Sequence, residues 1–162
     1  GLPIGVIDVN KKIEKKLSKQ KDAIFFGGTF SGNSLVTKIG FENLNFILKN
    51  KKKIYKHLDK LSFYFERKLN LFFKNHNLNI KIIRYCSIIR IIYSLKEIKN
   101  KLERENIEKK LSKKINNFLI YALGNGIYLS KRGAIFFPYS FTKKNVDHLI
   151  SVISKGTLKF FK

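Results

Sequence analysis

Residues 25–33 have the sequence Phe-Phe-Gly-Gly-Thr-Phe-Ser-Gly-Asn and lead directly into a helical pattern. The start of a helix leaves several backbone N–H groups unpaired and carries a partial positive charge, so a phosphate group can bind there. The hydroxyl of Thr29 or Ser31 can add a further hydrogen bond. The stretch therefore predicts a phosphate-binding turn, and a plain Gly-Gly turn without a ligand is the alternative.

A long helical pattern follows the turn. Apolar residues recur at spacings of three and four from Leu35 to Phe72, which predicts a helix over this range. The lysine cluster 51–53 interrupts the apolar pattern, so we expect a bend or a short break near Asn50, and with it a domain border. On the other side of the turn, a lysine-rich helix is predicted over 10–17.

Beyond Asn77 the pattern alternates between strand and helix. Runs rich in isoleucine predict strands over 80–84 and 88–93. The charged segment 96–105 has little apolar content and is predicted to be an exposed connection. The remaining predicted elements are a helix over 107–122, a strand pair over 127–129 and 134–137, and a final helix with Thr142 as its N-cap. This order of elements predicts an α/β chain.

The charge of the chain is strongly positive. Its 162 residues carry a net charge of +23, from 34 Lys and Arg against 11 Asp and Glu. Such a charge is typical of nucleic-acid binding proteins. The lysines are nevertheless spread over every segment, and this distribution specifies neither a groove nor a base contact. We therefore predict no specific nucleic-acid function, and a noncatalytic basic module that binds polyanions is the alternative function.

Other residue types limit the remaining classes of function. No apolar run approaches the roughly 18 residues of a membrane helix, and the first residues lack a signal pattern, which predicts a soluble, cytoplasmic protein with no membrane partner. The single Cys86, in an apolar run, is predicted to be a buried, inert thiol. No ligand spacing links His57, His76 and His148, so no metal site is expected.

Three further motifs accompany the Gly-Thr-Phe-Ser-Gly-Asn turn in a fixed order. They are Gly-Leu-Pro-Ile-Gly at 1–5, Gly-Asn-Gly-Ile-Tyr-Leu at 124–129 and Ser-Phe-Thr at 140–142. Together these motifs resemble the class III pyridoxal-phosphate aminotransferases, and among them most closely the glutamate-1-semialdehyde 2,1-aminomutases. The resemblance spans nearly the whole chain. It implies the C-terminal part of a fold-type I pyridoxal-phosphate transferase.

The resemblance also implies a division into domains and a reaction. Residues 1–46 would be the end of the large cofactor-binding domain, and residues 47–162 a small α/β domain with antiparallel strands. The cofactor would be pyridoxal 5′-phosphate, and the reaction would transfer an amino group between or within small amino and oxo acids. The complete enzyme would be a homodimer.

The resemblance implies a role for two residues of the turn and suggests a third candidate, Arg90. The threonine of the turn reaches across the dimer interface to the cofactor phosphate in such enzymes, which assigns Thr29, with the backbone of Gly28 beside it. A bulky side chain at Gly27 or Gly28 would block the phosphate. Arginines of the family's small domain bind substrate carboxylates, so Arg90 is a candidate for substrate binding, and an edge-strand arginine that faces water is the alternative.

The catalytic lysine of the family lies a few residues before the Gly-Leu-Pro motif. This chain starts at Gly1, so we expect a C-terminal fragment that contains no catalytic residue. A lysine on a solvated helix is mostly protonated and is a poor nucleophile. The expectation is therefore that this polypeptide alone shows no transaminase turnover.

Overall fold

The computed structural model describes residues 4–5, 9–17 and 28–162, and within these ranges the chain forms five helices and three strands. The helices are α1 (Lys11–Leu17), α2 (Ser34–Asn75), α3 (Lys101–Lys110), α4 (Ser112–Gly124) and α5 (Lys143–Phe161). The strands are β1 (Lys81–Tyr85), β2 (Ile88–Ile92) and β3 (Ala134–Phe136). The predicted α/β class is confirmed.

Two compact units divide the chain, residues 1–51 and residues 52–162. The division falls inside α2, which is one continuous helix, so a short break near Asn50 is wrong, and a bend there stays a prediction. Asn50 Nδ2 donates to the carbonyl oxygen of Phe46 at 2.9 Å, so this amide is satisfied by its own helix. The lysine cluster 51–53 is exposed, and its charges stay hydrated without any break. The assignment of 1–46 and 47–162 to a large and a small domain stays a prediction.

The strands form one antiparallel sheet in the order β1-β2-β3. Arg90 of the central strand stands opposite Ile83 of β1 and Ala134 of β3. The predicted strands over 80–84 and 88–93 are confirmed within one residue at each end. The predicted strand over 127–129 is wrong, because β3 pairs with β2 and this segment has no strand partner.

The end of α4 explains the missing strand. Gly126 has φ +77°, its N–H donates to the carbonyl of Leu123 at 3.0 Å, and the N–H of Ile127 donates to the carbonyl of Ala122 at 2.9 Å. These two bonds satisfy carbonyls that the helix leaves free at its end. Because the amide of Ile127 terminates the helix, it is not available to a strand ladder.

The predicted exposed connection over 96–105 is wrong from Lys101 onward, where α3 begins. Asn100 Oδ1 accepts the N–H of Glu103 at 3.0 Å, and the Glu103 carboxylate accepts the N–H of Lys99 at 2.9 Å. No residue of α3 is buried. The helix is stabilised by this cap and by ion pairs one turn apart, which an apolar pattern does not reveal.

The core of residues 52–162 joins the sheet to α2, α4 and α5. Its largest fully buried apolar side chains are Phe65, Leu69, Phe73, Ile82, Ile89, Ile91, Phe118, Val146 and Ile153. Helices α4 and α5 approach closely at Gly156, where an added Cβ would lie 2.8 Å from a ring carbon of Phe118. Thr142 caps α5, as predicted. Because side chains alternate along a strand, Arg90 lies on the sheet face opposite Ile89 and Ile91.

Candidate functional site

The stretch 28–33 forms two successive turns before α2. The N–H of Ser31 donates to the carbonyl of Gly28 at 2.9 Å, and the N–H of Asn33 donates to the carbonyl of Phe30 at 3.2 Å. Gly32, between them, has φ +71°, a conformation that glycine adopts without a steric penalty. The sequence singled out Gly28 and missed Gly32, although the turn conformation depends on the second glycine.

Asn33 provides the cap of α2. Its Oδ1 accepts the N–H of Val36 at 3.0 Å, and its carbonyl accepts both the N–H and the hydroxyl of Thr37 at 2.9 Å. This pattern is the usual N-cap arrangement for asparagine. The cap therefore satisfies one amide of the first helical turn and leaves the preceding turn free to bind something else.

Several donors in the turn have no partner within the ranges that the structure describes. They are the amides of Thr29, Phe30 and Gly32 and the hydroxyl of Thr29. Residues 28–35 are all exposed, and the turn lines a concave surface of about 440 Å³ together with Ile4 and Thr37. Free N–H and O–H groups at an exposed helix start are the groups that bind oxyanions. The turn is open to an anion of the size of a phosphate.

The steric argument for glycine applies differently to the two predicted positions. A Cβ on Gly28 would lie 3.7 Å from Ser31 Oγ, which is an ordinary contact, so nothing in the described part of the chain requires glycine there. Gly27 lies outside the described residues. The prediction that a side chain at Gly28 blocks a ligand stays a prediction.

Arg90 lies in the other unit, on the central strand, so the alternative of an edge-strand arginine is wrong. Its Nη1 atom is buried and has no hydrogen-bond partner within the described part of the molecule. The side chain borders a cavity of about 650 Å³ formed by β2, α3, α4 and the loop before β3. Thr29 and Arg90 thus belong to two separate candidate sites.

One carboxylate and one phenol outside these sites, those of Asp147 and Tyr93, have perturbed pKa values. Hydrogen bonds from Lys143 Nζ at 2.8 Å and from the Tyr64 hydroxyl at 2.6 Å lower the pKa of Asp147. Burial of Tyr93, followed by the nearby charge of Glu108, raises the pKa of the Tyr93 phenol. Asp147 belongs to an ion pair and Tyr93 to the core, and such structural arrangements also perturb pKa values, so we assign neither to a catalytic site.

Cys86 is exposed, so the prediction of a buried thiol is wrong. It lies in the β1–β2 turn with φ +51°, and its carbonyl accepts the hydroxyl of Ser62 at 2.8 Å. The turn conformation directs the side chain outward although the neighbouring residues are apolar.

Among the described residues no group of His, Cys, Asp and Glu can hold a metal ion. No helix within the same ranges has the length and apolar content to cross a bilayer.

Sequence comparison relates the chain to one group of enzymes, while no protein-family model matches it. The glutamate-1-semialdehyde 2,1-aminomutase of Caldicellulosiruptor saccharolyticus is 29% identical over 164 residues, which cover 100% of this chain and 37% of that protein. The aminomutase of Thermosipho melanesiensis is 31% identical over 160 residues, which cover 96% of this chain and 36% of that protein. The chain spans little more than a third of the length of these curated relatives.

Solved structures show the same relation at the level of the fold. A β-phenylalanine aminotransferase from Variovorax paradoxus superposes with a TM-score of 0.69 at 14% identity, over 93% of this chain and 34% of that one. An omega-transaminase from Sphaerobacter thermophilus superposes with a TM-score of 0.67 at 12% identity, over 89% of this chain and 33% of that one. The fold therefore matches part of a fold-type I aminotransferase.

Proposed function

We propose that the chain is part of a pyridoxal-phosphate enzyme of the class III aminotransferase family, because it is similar to glutamate-1-semialdehyde 2,1-aminomutases and aligns with little more than a third of their length. The reaction of that enzyme transfers an amino group between or within small amino and oxo acids, as an aminotransferase or an aminomutase does. The observation that carries this proposal is the exposed turn at 28–33 with its unpaired donors, in a chain that aligns over its full length with the aminomutases.

The proposed role of the turn is to bind the phosphate of the cofactor. The hydroxyl of Thr29 and the amides of Thr29 and Phe30 can donate to a phosphate dianion, and the dipole of α2 favours negative charge at this end of the helix. Bound pyridoxal phosphate would supply the electron sink for amino-group chemistry. The residues of this chain would orient the cofactor and neutralise its charged end.

We further propose that the phosphate belongs to the cofactor of a second subunit, so that the complete enzyme is a homodimer. Thr29 is exposed and has no partner within the described part of its own chain, which leaves its hydroxyl free for a neighbouring subunit. The assignment of residues 1–46 to a large cofactor domain and of 47–162 to a small domain is part of the same proposal. A role of Arg90 in binding a substrate carboxylate stays a prediction.

Binding of a cofactor analogue by the purified chain tests the phosphate site. Pyridoxamine 5′-phosphate is the suitable probe, because it lacks the aldehyde that would react with surface lysines. In isothermal titration calorimetry we expect it to bind at least about tenfold more tightly than pyridoxamine, since hydrogen bonds to a charged group are worth about 1.5–3 kcal/mol. Equal affinities for the two compounds would contradict the proposal.

Variants of Thr29 sharpen this test. Thr29→Val removes the hydroxyl and keeps the shape, and we expect it to weaken binding of pyridoxamine 5′-phosphate by about tenfold. Thr29→Ser keeps the hydroxyl and should bind like the unmodified chain. Ser151→Ala, which removes an exposed hydroxyl from α5 in the other unit, is the matched control and should change nothing.

A noncatalytic basic module that binds polyanions is the second candidate, and the net charge of +23 favours it. The dependence of heparin binding on salt concentration distinguishes the two functions. If heparin binding disappears as the ionic strength rises, the general charge is sufficient to explain it. Binding that persists at high salt, in a chain that does not distinguish pyridoxamine phosphate from pyridoxamine, would favour the module.

A further inference from the structure

The cavity beside Arg90 is lined mainly by charged side chains. It has a volume of about 650 Å³, and all its lining residues belong to the unit 52–162. Six cationic side chains and two carboxylates line it. A cavity of this size can hold a small organic acid or a phosphate compound.

The two carboxylates of the cavity are already paired. Glu105 lies 3.6 Å from Lys101 Nζ and 3.5 Å from Arg104 Nη2, and Glu108 lies 3.4 Å from Arg104 Nε. The contact with Nε is an ion pair but is not aligned as a hydrogen bond. Both carboxylates of the cavity are therefore paired with Lys101 or Arg104 of the same helix, α3.

Four cations remain without a carboxylate partner among the described residues. They are Arg90, Lys109, Lys131 and Arg132. Arg90 differs from the other three, because its Nη1 atom is buried and makes no hydrogen bond. Buried guanidinium groups are normally paired, since they can only donate and lose their hydration.

The loop before β3 brings cations to this side of the sheet. Gly133 has φ +71°, and its carbonyl accepts the N–H of Ile91 at 3.1 Å. A Cβ on Gly133 would lie 3.2 Å from the carbonyl oxygen of Ile91 and 3.9 Å from Arg90 Cγ. The absence of a side chain lets the loop lie against the stem of Arg90. Lys131 and Arg132, just before this glycine, therefore border the same cavity.

We propose that this cavity binds a small oxyanion with two or more negative charges, and that the Arg90 guanidinium is its central donor. Arg90 would form two parallel hydrogen bonds to one carboxylate or phosphate group, and Lys131 and Arg132 would neutralise the remaining charge. A dicarboxylate and a phosphate compound share this chemistry. The site goes beyond the proposed cofactor-binding turn and does not depend on it, because it lies entirely within residues 52–162.

Calorimetric titration of the full chain at constant ionic strength tests the proposal with three probes: succinate, inorganic phosphate and acetate. We expect succinate or phosphate to bind at least about tenfold more tightly than acetate. Tighter binding of succinate identifies a dicarboxylate as the ligand class, and tighter binding of phosphate identifies a phosphate compound. If all three bind equally or not at all, the proposal is overturned.

Variants assign the binding to Arg90. Arg90→Gln should weaken binding of the preferred dianion by about tenfold or more, and Arg90→Lys, which keeps the charge but not the paired donors, should give an intermediate loss. Arg67→Gln is the matched control, because Arg67 is exposed on α2 outside the cavity. Unchanged affinity in Arg90→Gln, or an equal loss in Arg67→Gln, overturns the proposal.

Two further variants test the cavity if Arg90→Gln does not fold and separate it from the cofactor-binding turn. If circular dichroism shows that Arg90→Gln does not fold, the double variant Lys131→Gln with Arg132→Gln replaces it, because both side chains are exposed at the rim. It should weaken dianion binding several-fold, and no change overturns the proposal. Thr29→Val should leave succinate binding unaltered, so this site can fail or succeed independently of the cofactor-binding turn.

Discussion

The turn at 28–33 and the cavity beside Arg90 both attract negative charge, but the chain builds them by different means. The hydrogen bonds that shape the turn join residues at most four positions apart, such as Ser31 to Gly28 and Thr37 to Asn33. The cavity combines β2, α3, α4 and a loop, and its arginines are as distant in sequence as Arg90 and Arg132. The turn offers backbone dipoles and a hydroxyl, whereas the cavity offers full charges on side chains.

This difference determines how each site depends on the rest of the molecule. A locally built turn keeps its donors as long as the first turn of α2 is formed. A cavity assembled from distant elements needs the core that holds those elements together. Substitutions in the core of residues 52–162 should therefore disturb the cavity far more than the turn.

Loss of a core side chain should have the largest effect. Phe118 is fully buried on α4, the helix that also supplies Ile115 to the cavity wall. We expect Phe118→Ala to lower the free energy of unfolding by about 3–5 kcal/mol, measured by urea denaturation. Leu123→Ala, at an exposed position of the same helix, is the control and should cost far less. Equal losses would show that α4 is not anchored through Phe118.

Substitution of two glycines with φ +71° allows a direct comparison of the two sites, because Gly32 lies in the turn and Gly133 lies in the loop beside the cavity. Gly133→Ala would combine an unfavourable backbone conformation with a 3.2 Å approach to the carbonyl of Ile91, whereas a Cβ on Gly32 would meet nothing within 4 Å. We expect a destabilisation of about 1–3 kcal/mol for Gly133→Ala and of about 1 kcal/mol for Gly32→Ala in urea denaturation. Only the first should weaken succinate binding. Gly124→Ala, with open space and no positive φ, should be nearly neutral.

The helix caps give a smaller effect that tests the same contrast. Asn33→Ala removes the cap of α2 beside the turn, and Asn100→Ala removes the cap of α3 beside the cavity. Each should cost about 0.5–2 kcal/mol locally. Because α3 has no buried residue, we expect hydrogen exchange to increase along the whole of α3 in Asn100→Ala but only in the first turn of α2 in Asn33→Ala. If hydrogen exchange increased over the same extent of both helices, the predicted difference between α2 and α3 would be wrong.

The smallest effect is a pH dependence on the surface of α5, away from both sites. Hydrogen bonds from Lys143 and Tyr64 lower the pKa of Asp147 below its ordinary value of 3.8. Because the pKa is lower in the folded state, the stabilisation is present above 3.8 and is lost as the pH falls through the folded-state pKa. Comparison of urea denaturation curves at neutral and acidic pH should show this loss in the unmodified chain and not in Asp147→Asn. A loss of the same size in the variant would assign the pH dependence to other carboxylates.

The turn and the cavity also differ in how far they could be predicted. The resemblance pointed to Thr29, and the structure leaves its hydroxyl exposed with no partner in the described part of the chain. For Arg90 the sequence predicts only a position on a strand, because it does not indicate that β3 pairs with β2 or that a charged helix lies nearby. The cavity was therefore not predicted, although each residue that lines it is visible in the sequence.

Errors in the predicted elements have the same origin. The helix α3 depends on the cap at Asn100 and on ion pairs, and these interactions have no apolar period. The strand predicted over 127–129 has a suitable composition, but the amide of Ile127 closes α4 instead. Cys86 has apolar neighbours, yet a positive φ in the hairpin turn exposes it. In each case a specific hydrogen bond, ion pair or backbone dihedral angle outweighed the average preference of the residues.

The amino-acid sequence by itself determined the features that depend on neighbours along the chain. These are the α/β class, the start of α5 at Thr142, the first two strands and the turn before α2, because capping, strand propensity and turn formation act over a few residues. Tertiary structure alone decided that Arg90 lies on the central strand and that its Nη1 atom is buried in the cavity that α3 helps to form. Strand order and the juxtaposition of distant elements result from the burial of the shared core, which no local pattern specifies.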